Sequence, residues 1–510
     1  MLWLPLAVAL LCFVVPWRSV PVLAALGTLA TLVLAAALVA SFHSGDPGLQ
    51  HSVDESWIPD LGVRYQLGVD GISIFLVGLT ALLWAGATAF SAFRVPDRRR
   101  IYFFMLGLGE TAALGAFLAQ DLLLFVLFFD LMLVPFWFLI GAFGGENRVA
   151  ATTKMIVYTL VGSLLMLVAA IATAILASDQ VGHLSFAIAD LRANTLGTGS
   201  QEWIFLFFAA AFLIKMPAVI VHGWLPDAYR AAPLPVLALL AGVLSKVGAY
   251  GFLRVALPLY PQATAHYQEL ILLIGVASIL YGSVMAFTQT NVRLIAGYSS
   301  IAQLGFITIG IFSLRSEGAD GSVLQMVNHG LVVAPVFLII ALLWERSGTE
   351  DLTGLGGLAM RAPVLAALFL VVTLATLAMP GSANFIGEFY ILIGVFQAKI
   401  VYAFVAIVGV VFAAFYAIRL FQRTMHDRLA PNVDSREISL RDAAVLAPLV
   451  ACIVALALHP GVILTRAQAA VQDKVGAVAS SSPPAVPHAP AVHADTSRTA
   501  YPPLDAEEGR

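Results

Sequence analysis

Lys215 and Lys246 stand inside the apolar runs WIFLFFAAAFLIKMPAVIVHGWLPDA and LPVLALLAGVLSKVGAYGFLRVALP, each long enough to lie in a bilayer. An ammonium at membrane depth is costly and marks, by default, a pathway for ions or protons. Acids occupy other apolar runs: Glu110 in FFMLGLGETAALG, Asp130 in LLLFVLFFDLMLVPFWFLIGAFGG and Glu388 in AMPGSANFIGEFYILIGVF. Cations and carboxylates of this kind suit proton transfer. An opposite charge about 4 Å away, at an effective dielectric near 20, is worth roughly 4 kcal/mol. Making or breaking one such pair therefore decides whether a lysine keeps its proton near neutral pH.

Each residue also has a plainer reading. Lys215 could snorkel to an interface, but about a dozen residues of its run precede it, and Pro217 with His222-Gly223-Trp224-Leu225-Pro226 marks a break. Lys246 lies near mid-run, where snorkelling is harder, and Gly242, Gly248 and Gly251 permit close helix approach. Asp130 is expected to be the counter-ion of one lysine; otherwise it is a neutral acid hydrogen-bonded between helices. Glu110 either assists Asp130 or bonds a backbone carbonyl. Glu388 is read as a terminal proton station, against the reading of a helix-start acid satisfied by nearby N–H groups. His329, in LQMVNHGLVVAPVFL, titrates near neutrality and could bridge two halves of the chain, or could be a structural histidine. His222 is a weaker candidate that could simply orient its turn.

The elements that must position these groups follow from composition. The 510 residues are 60% hydrophobic and 11% charged, where a soluble domain carries about 25% charged residues. The chain is an all-α polytopic membrane protein. A net charge of −3 leaves no nucleic-acid footprint. Cys12 and Cys452 are far apart in apolar runs and read as small buried residues, not metal ligands. No Gly-rich phosphate loop follows a strand signal, so no cofactor site is expected in this chain and any redox chemistry is done elsewhere. The opening MLWLPLAVALLCFVVPW lacks a basic region and a cleavage site, and is read as a retained helix.

A span needs about 20 mostly apolar residues. Fourteen are expected, near 2–16, 20–42, 71–93, 101–119, 121–143, 153–177, 203–222, 234–258, 268–288, 292–313, 322–343, 363–395, 400–422 and 441–464. The seventh is broken at Pro217, and the twelfth is over-long and broken at Met379-Pro380-Gly381-Ser382. Broken helices point to a transport site. Lysine and arginine orient the chain: sixteen fall in loops on one face, and five (Arg64, Arg192, Arg254, Arg315, Lys399) on the other. The richer face is expected in the cytoplasm, with both termini and an acidic loop from His43 to Val69 outside. The Pro/Ala-rich stretch from about 480 to 510 reads as a disordered outer tail.

The motifs LGVDGIS, FFDLMLVPFWFLIGAFGGENR, KMPAVIVHGWLPDA, LAGVLSKVGAYGFLR, IAGYSSIAQLGF and MPGSANFIGEF follow one another in order. Together they resemble the antiporter-like membrane subunits of proton-pumping NADH:quinone oxidoreductase, respiratory complex I, most of all the M type. The resemblance runs from about residue 60 to 425. It implies fourteen helices: three N-terminal ones within 1–100, two inverted five-helix repeats at 101–258 and 268–422, broken helices seven and twelve, and a last helix at 441–464. It implies a proton relay through Asp130, Lys215, Lys246, His329 and Glu388, the acid at Glu388 favouring the M type over the L type. It also implies a multi-pass place in the bacterial inner membrane beside L- and N-type chains, with NADH, FMN, iron–sulfur clusters and quinone in partner subunits.

Four positions depart from the family pattern. Asp130 replaces a usual glutamate, and withdraws the carboxylate by about one bond, roughly 1.5 Å. Tyr229 and Ala231 stand where histidine and glutamate are usual, and Gln303 replaces a frequent histidine. Gln303 cannot titrate but can hold a water wire. Two other readings share these motifs: a large subunit of a multi-subunit Na⁺/H⁺ antiporter, and a module of a hydrogenase- or CO₂-hydration-linked complex. A purely structural spacer is disfavoured, because apolar helices would pack more cheaply than buried ionisable ones.

Overall fold

A computed structural model describes residues 1–94, 97–428 and 433–481. The segment beyond 481, where the disordered tail is expected, lies outside the described residues. In chain order, short helices aside, the elements begin with α1 (Leu4–Val14), α2 (Val20–Ser41), strands β1 (Gln50–Ile58) and β2 (Val63–Val69), α3 (Ser73–Arg94), α4 (Arg99–Leu118), α5 (Leu122–Phe143) and α6 (Arg148–Val181). They continue with α7 (Thr198–Lys215), α8 (Leu225–Ala231), α9 (Leu234–Leu259), α10 (Gln268–Thr288), α11 (Val292–Ile311) and α12 (Ser316–Ser347). The last are α13 (Pro363–Thr376), α14 (Ala383–Ala398), α15 (Ile400–Met425), α16 (Leu440–Leu458) and α17 (Gly461–Ser481).

Among the described residues, eleven helices are long and apolar enough to cross a membrane. They fall on eleven of the expected spans. The first, seventh and twelfth expected spans hold shorter helices: α1, α7, and the pair α13 and α14. Helices α9, α11 and α12 are buried along their whole apolar windows, whereas α2, α15 and α16 are mostly uncovered. Polar side chains on the three central helices are therefore sheltered by protein, and the peripheral helices present apolar flanks. That difference places the site in the middle of the molecule.

Two expectations are corrected. The loop from His43 to Val69 contains an antiparallel hairpin, in which Val53 pairs with Leu67 and Asp54 with Gln66. Its turn closes at Gly62, and Arg64 bonds Asp54 across it at 2.6 Å. Arg254, assigned to a loop, lies inside α9 with only 4% of its surface exposed. It is tolerable there because Asp70 pairs with it at 2.7 Å. Between the last expected span and about residue 480, a stretch the sequence reading leaves unassigned, the chain forms the further helix α17 after His459 and Pro460.

Candidate functional site

The break after α7 sets Lys215. The helix stops at this lysine, and Pro217 removes an N–H that would have continued it. Backbone groups freed in the turn are satisfied locally. The Ala218 amide bonds the Leu213 carbonyl at 2.9 Å, and the Val219 amide bonds the Ser278 hydroxyl at 3.0 Å. The Trp224 indole bonds the Ile214 carbonyl at 3.1 Å. Arg293 then holds the end of α8, donating to the Ala232 carbonyl at 2.5 Å while it pairs with Glu350.

Lys215 is buried, at 7% exposure, and does not snorkel. Its ammonium donates to the Phe129 carbonyl at 3.2 Å and lies 4.6 Å from the centroid of the Phe129 ring. Phe129 and Asp130 belong to the turn of α5 just before its regular winding slips at Met132, ahead of Pro135. Asp130 and Lys215 interact through charge but form no direct ion pair. The carboxylate faces the Ser163 hydroxyl of α6 and keeps one buried oxygen, Oδ1, without a partner. The expected counter-ion is thus a neighbour rather than a contact, as suits a side chain one methylene short.

Lys246 is fully buried. Two π-helical stretches, Leu240–Leu244 and Phe252–Ala256, flank the turn that carries it. A π turn displaces carbonyls from their α-helical partners, and Ala241 presents such an oxygen. The lysine donates to it at 2.6 Å, to Ser245 Oγ at 3.2 Å and to His329 Nδ1 at 2.9 Å. An ammonium has three N–H donors, and three acceptors meet it here. When Lys246 is charged, His329 must accept at Nδ1 and so is neutral. The contact needs close helices: a Cβ on Gly330 would lie 2.5 Å from the Gly242 carbonyl oxygen.

Glu388 lies in the second turn of α14, after a break at 377–382 where Ala378 and Gly381 adopt positive φ of 53° and 93°. Gln303 Nε2 donates to Glu388 Oε1 at 2.7 Å, and Gln325 Nε2 donates to Gln303 Oε1 at 2.8 Å. Gln303 therefore contacts the acid directly.

Two cavities lie beside these groups. One is lined by Lys215, Ser245, Tyr229 and the start of the α9 π turn, with about 20 Å³ of room for water. The other, with room of about 20 Å³, is lined by His329, Gln303, Ser299, Thr373 and Asn384. Each can hold one or two water molecules by volume. Thr373 Oγ1 and both amide atoms of Asn384 are buried without protein partners, and buried polar atoms of that kind call for water. The order is then Asp130, Lys215, cavity, Ser245 and Lys246, His329, cavity, Gln303, Glu388.

Two candidates fall outside this row. Glu110 is fully buried with both oxygens unpartnered, and lines a small cavity against α1 and α2. It neither assists Asp130 nor bonds a carbonyl, because its face of α4, which it shares with Gly107, packs on Pro5 and Ala9. His222 contacts the Val219 carbonyl and, at 3.2 Å, the Tyr281 hydroxyl. Both contacts are local to the turn and to α10. The sequence reading missed Ser163, Ser245, Gln325, Thr373 and Asn384, although amides and hydroxyls inside wholly apolar helices were the signal for them.

Residues 119–414 match the family model described as NADH:quinone oxidoreductase/Mrp antiporter, TM. The chain is 37% identical over 477 residues to NADH-quinone oxidoreductase subunit M of Rhodobacter capsulatus, covering 90% of this chain and 93% of the relative. Its fold superposes on a chain of respiratory complex I from Thermus thermophilus with TM-score 0.87 and 31% identity, covering 94% of this chain and 98% of that one. A chain of the Mrp complex from Dietzia sp. shares the fold at TM-score 0.80 and 21% identity, over 93% of this chain and 97% of that one.

Proposed function

The chain belongs to the NADH:quinone oxidoreductase/Mrp antiporter transmembrane family, and we propose that it moves protons as an M-type membrane subunit of an NADH:quinone oxidoreductase. The observation that carries this reading is the succession of buried titratable groups that alternates direct contacts with water-sized cavities. Lengthening or closing the Asp130–Lys215 separation changes how firmly the lysine holds its proton. A proton on Lys215 reaches Lys246 through the first cavity and Ser245. Lys246 passes it to His329 across one hydrogen bond, and the second cavity and Gln303 lead to Glu388.

In this reading α4 to α9 and α10 to α15 are two inverted repeats, each with one interrupted helix. The face richer in lysine and arginine lies in the cytoplasm of a bacterium, with both termini outside. L- and N-type chains flank it in the membrane. NADH, FMN, iron–sulfur clusters and quinone sit in partner subunits, whose electron transfer drives the switch at Lys215.

Inside-out membrane vesicles test the proposal. Lys215→Ala and Glu388→Gln are expected to lower NADH-driven proton uptake and quinone reduction together, with the complex still assembled. Normal pumping by both variants would end the relay. A sodium gradient in place of a pH gradient would transfer the same residues to cation exchange.

A further inference from the structure

Five charged side chains outside the relay gather at the end of the first repeat that faces the hairpin. Arg254 pairs with Asp70 at 2.7 Å, both almost fully buried. Lys474 of α17, 8% exposed, stands within electrostatic reach of both and bonds Asp473 at 3.0 Å. Asp473 in turn pairs with Arg192 at 2.6 Å. Three cations meet two anions, so the cluster is positive by one. The helix that brings Lys474 and Asp473 comes close because residue 71 is glycine: a Cβ there would lie 1.9 Å from the Arg466 carbonyl oxygen.

The cluster lies between water and the relay. Beyond it opens a polar vestibule of about 710 Å³, lined by Arg192, by Pro258 one turn past Arg254, and by Ala477 one turn past Lys474. On its other side, Lys246, Tyr250 and Arg254 follow at four-residue spacing along one face of α9. Tyr250 fills the gap, with its ring edge-on to Phe117 at 5.3 Å and its hydroxyl donating to the Phe117 carbonyl at 3.2 Å. Phe125 and Phe212 complete an aromatic layer around it. Along α9, the way from Lys246 toward Pro258 at the vestibule thus passes Tyr250 with its aromatic neighbours and then Arg254.

We infer that Arg254, with Lys474 and the aromatic layer around Tyr250, forms a seal that keeps a proton on Lys246 from leaving toward the vestibule and commits it to His329. This rests on the relay reading above. The acids of the cluster offer no alternative landing place. Asp70 is engaged by Arg254 and by the amides of Ile72 and Ser73. Burial, the largest single influence, would raise its carboxyl, but Arg254, the Ser73 and Ile72 amides and Lys474 together outweigh it and hold the group below the usual carboxylate range. Burial would also raise Asp473, yet its bonds to Arg192 and Lys474 hold it at about 2. Both stay ionised at neutral pH and keep the cations in place. Arg254 is eight residues from Lys246, about 12 Å along the helix. At that range, with an effective dielectric near 20, one unit charge changes the occupancy of an approaching cation by about tenfold.

The test uses the whole complex in sealed vesicles. The paired variant Asp70→Asn with Arg254→Gln leaves a neutral hydrogen-bonding pair, and Lys474→Gln changes one charge at the edge. Both are expected to keep NADH oxidation. Passive decay of an imposed pH gradient should rise by about tenfold in Lys474→Gln, which removes the net positive charge of the cluster. It should rise by less in the paired variant, which leaves that net charge unchanged and removes only the guanidinium beyond Tyr250, with fewer protons stored per NADH in both. Glu388→Gln should reduce pumping without a leak. If the paired variant does not assemble, Lys474→Gln alone decides. Unchanged passive decay in the variants that assemble would overturn the seal. Reduced pumping with unchanged decay would also overturn it, and would make the cluster an exit. If Lys246→Ala pumps normally, the relay itself fails, whatever the leak.

Discussion

Lys215 and Glu388 both stand beside interrupted helices, but their surroundings differ. Lys215 ends α7 and shares its ammonium between a backbone carbonyl and an aromatic face, with Asp130 near but not bonded. Glu388 lies inside α14, fixed by Gln303, which Gln325 fixes in turn. The first station can change partners by giving up one hydrogen bond to a neutral carbonyl, since no ion pair must break. The second is held in one geometry by amides that cannot titrate. In the proposed relay the adjustable Lys215 suits a switch and the fixed Glu388 suits a terminal station.

That contrast can be broken at its tighter end. Gln303→Leu removes a hydrogen bond to a charged group, worth about 1.5–3 kcal/mol, and leaves Gln325 without its acceptor. Coupled proton uptake in vesicles should fall by an order of magnitude or more, while Gln303→His should retain most of it. Equal activity of the leucine variant and the parent would show that the amide pair plays no part. At the looser end the effect is smaller. Asp130→Glu extends the carboxylate by roughly 1.5 Å and should convert the separated charges into a direct pair. Because the two groups already interact through charge, drawing them closer by that distance at an effective dielectric near 20 adds only about 1 kcal/mol, so turnover should change by no more than about tenfold. A structure of that variant with no contact to Lys215 would contradict the reading of a short side chain.

Much of the row was legible because membrane depth makes charge conspicuous. Lys215, Lys246, Asp130, His329 and Glu388 stand out against apolar neighbours, and Pro217 and Pro380 mark the interruptions. What could not be read was which neighbours meet. Gln303 and Gln325 are 22 residues apart on adjacent helices, and only helix packing joins them. Glu110 looks as suitable as Asp130 in sequence; the face of α4 it shares with Gly107 turns it away. The hairpin escaped because β1 is exposed almost throughout and so shows no buried alternation. Helix α17 escaped because it follows a proline and is only partly apolar. Arg254 passed for a loop residue because a lone arginine near the end of a run fits either side of the boundary. Its partner, Asp70, is 184 residues away.

The proposed relay depends most on water joining the two halves of the row. A density map of the assembled complex, resolved well enough to show ordered solvent, tests this directly. Water is expected in the cavity between Lys215 and Ser245, and in the cavity between His329 and Gln303. If both spaces are dry, or filled by side chains that leave Lys246 and His329 isolated from Lys215 and Glu388, the relay as described here does not exist.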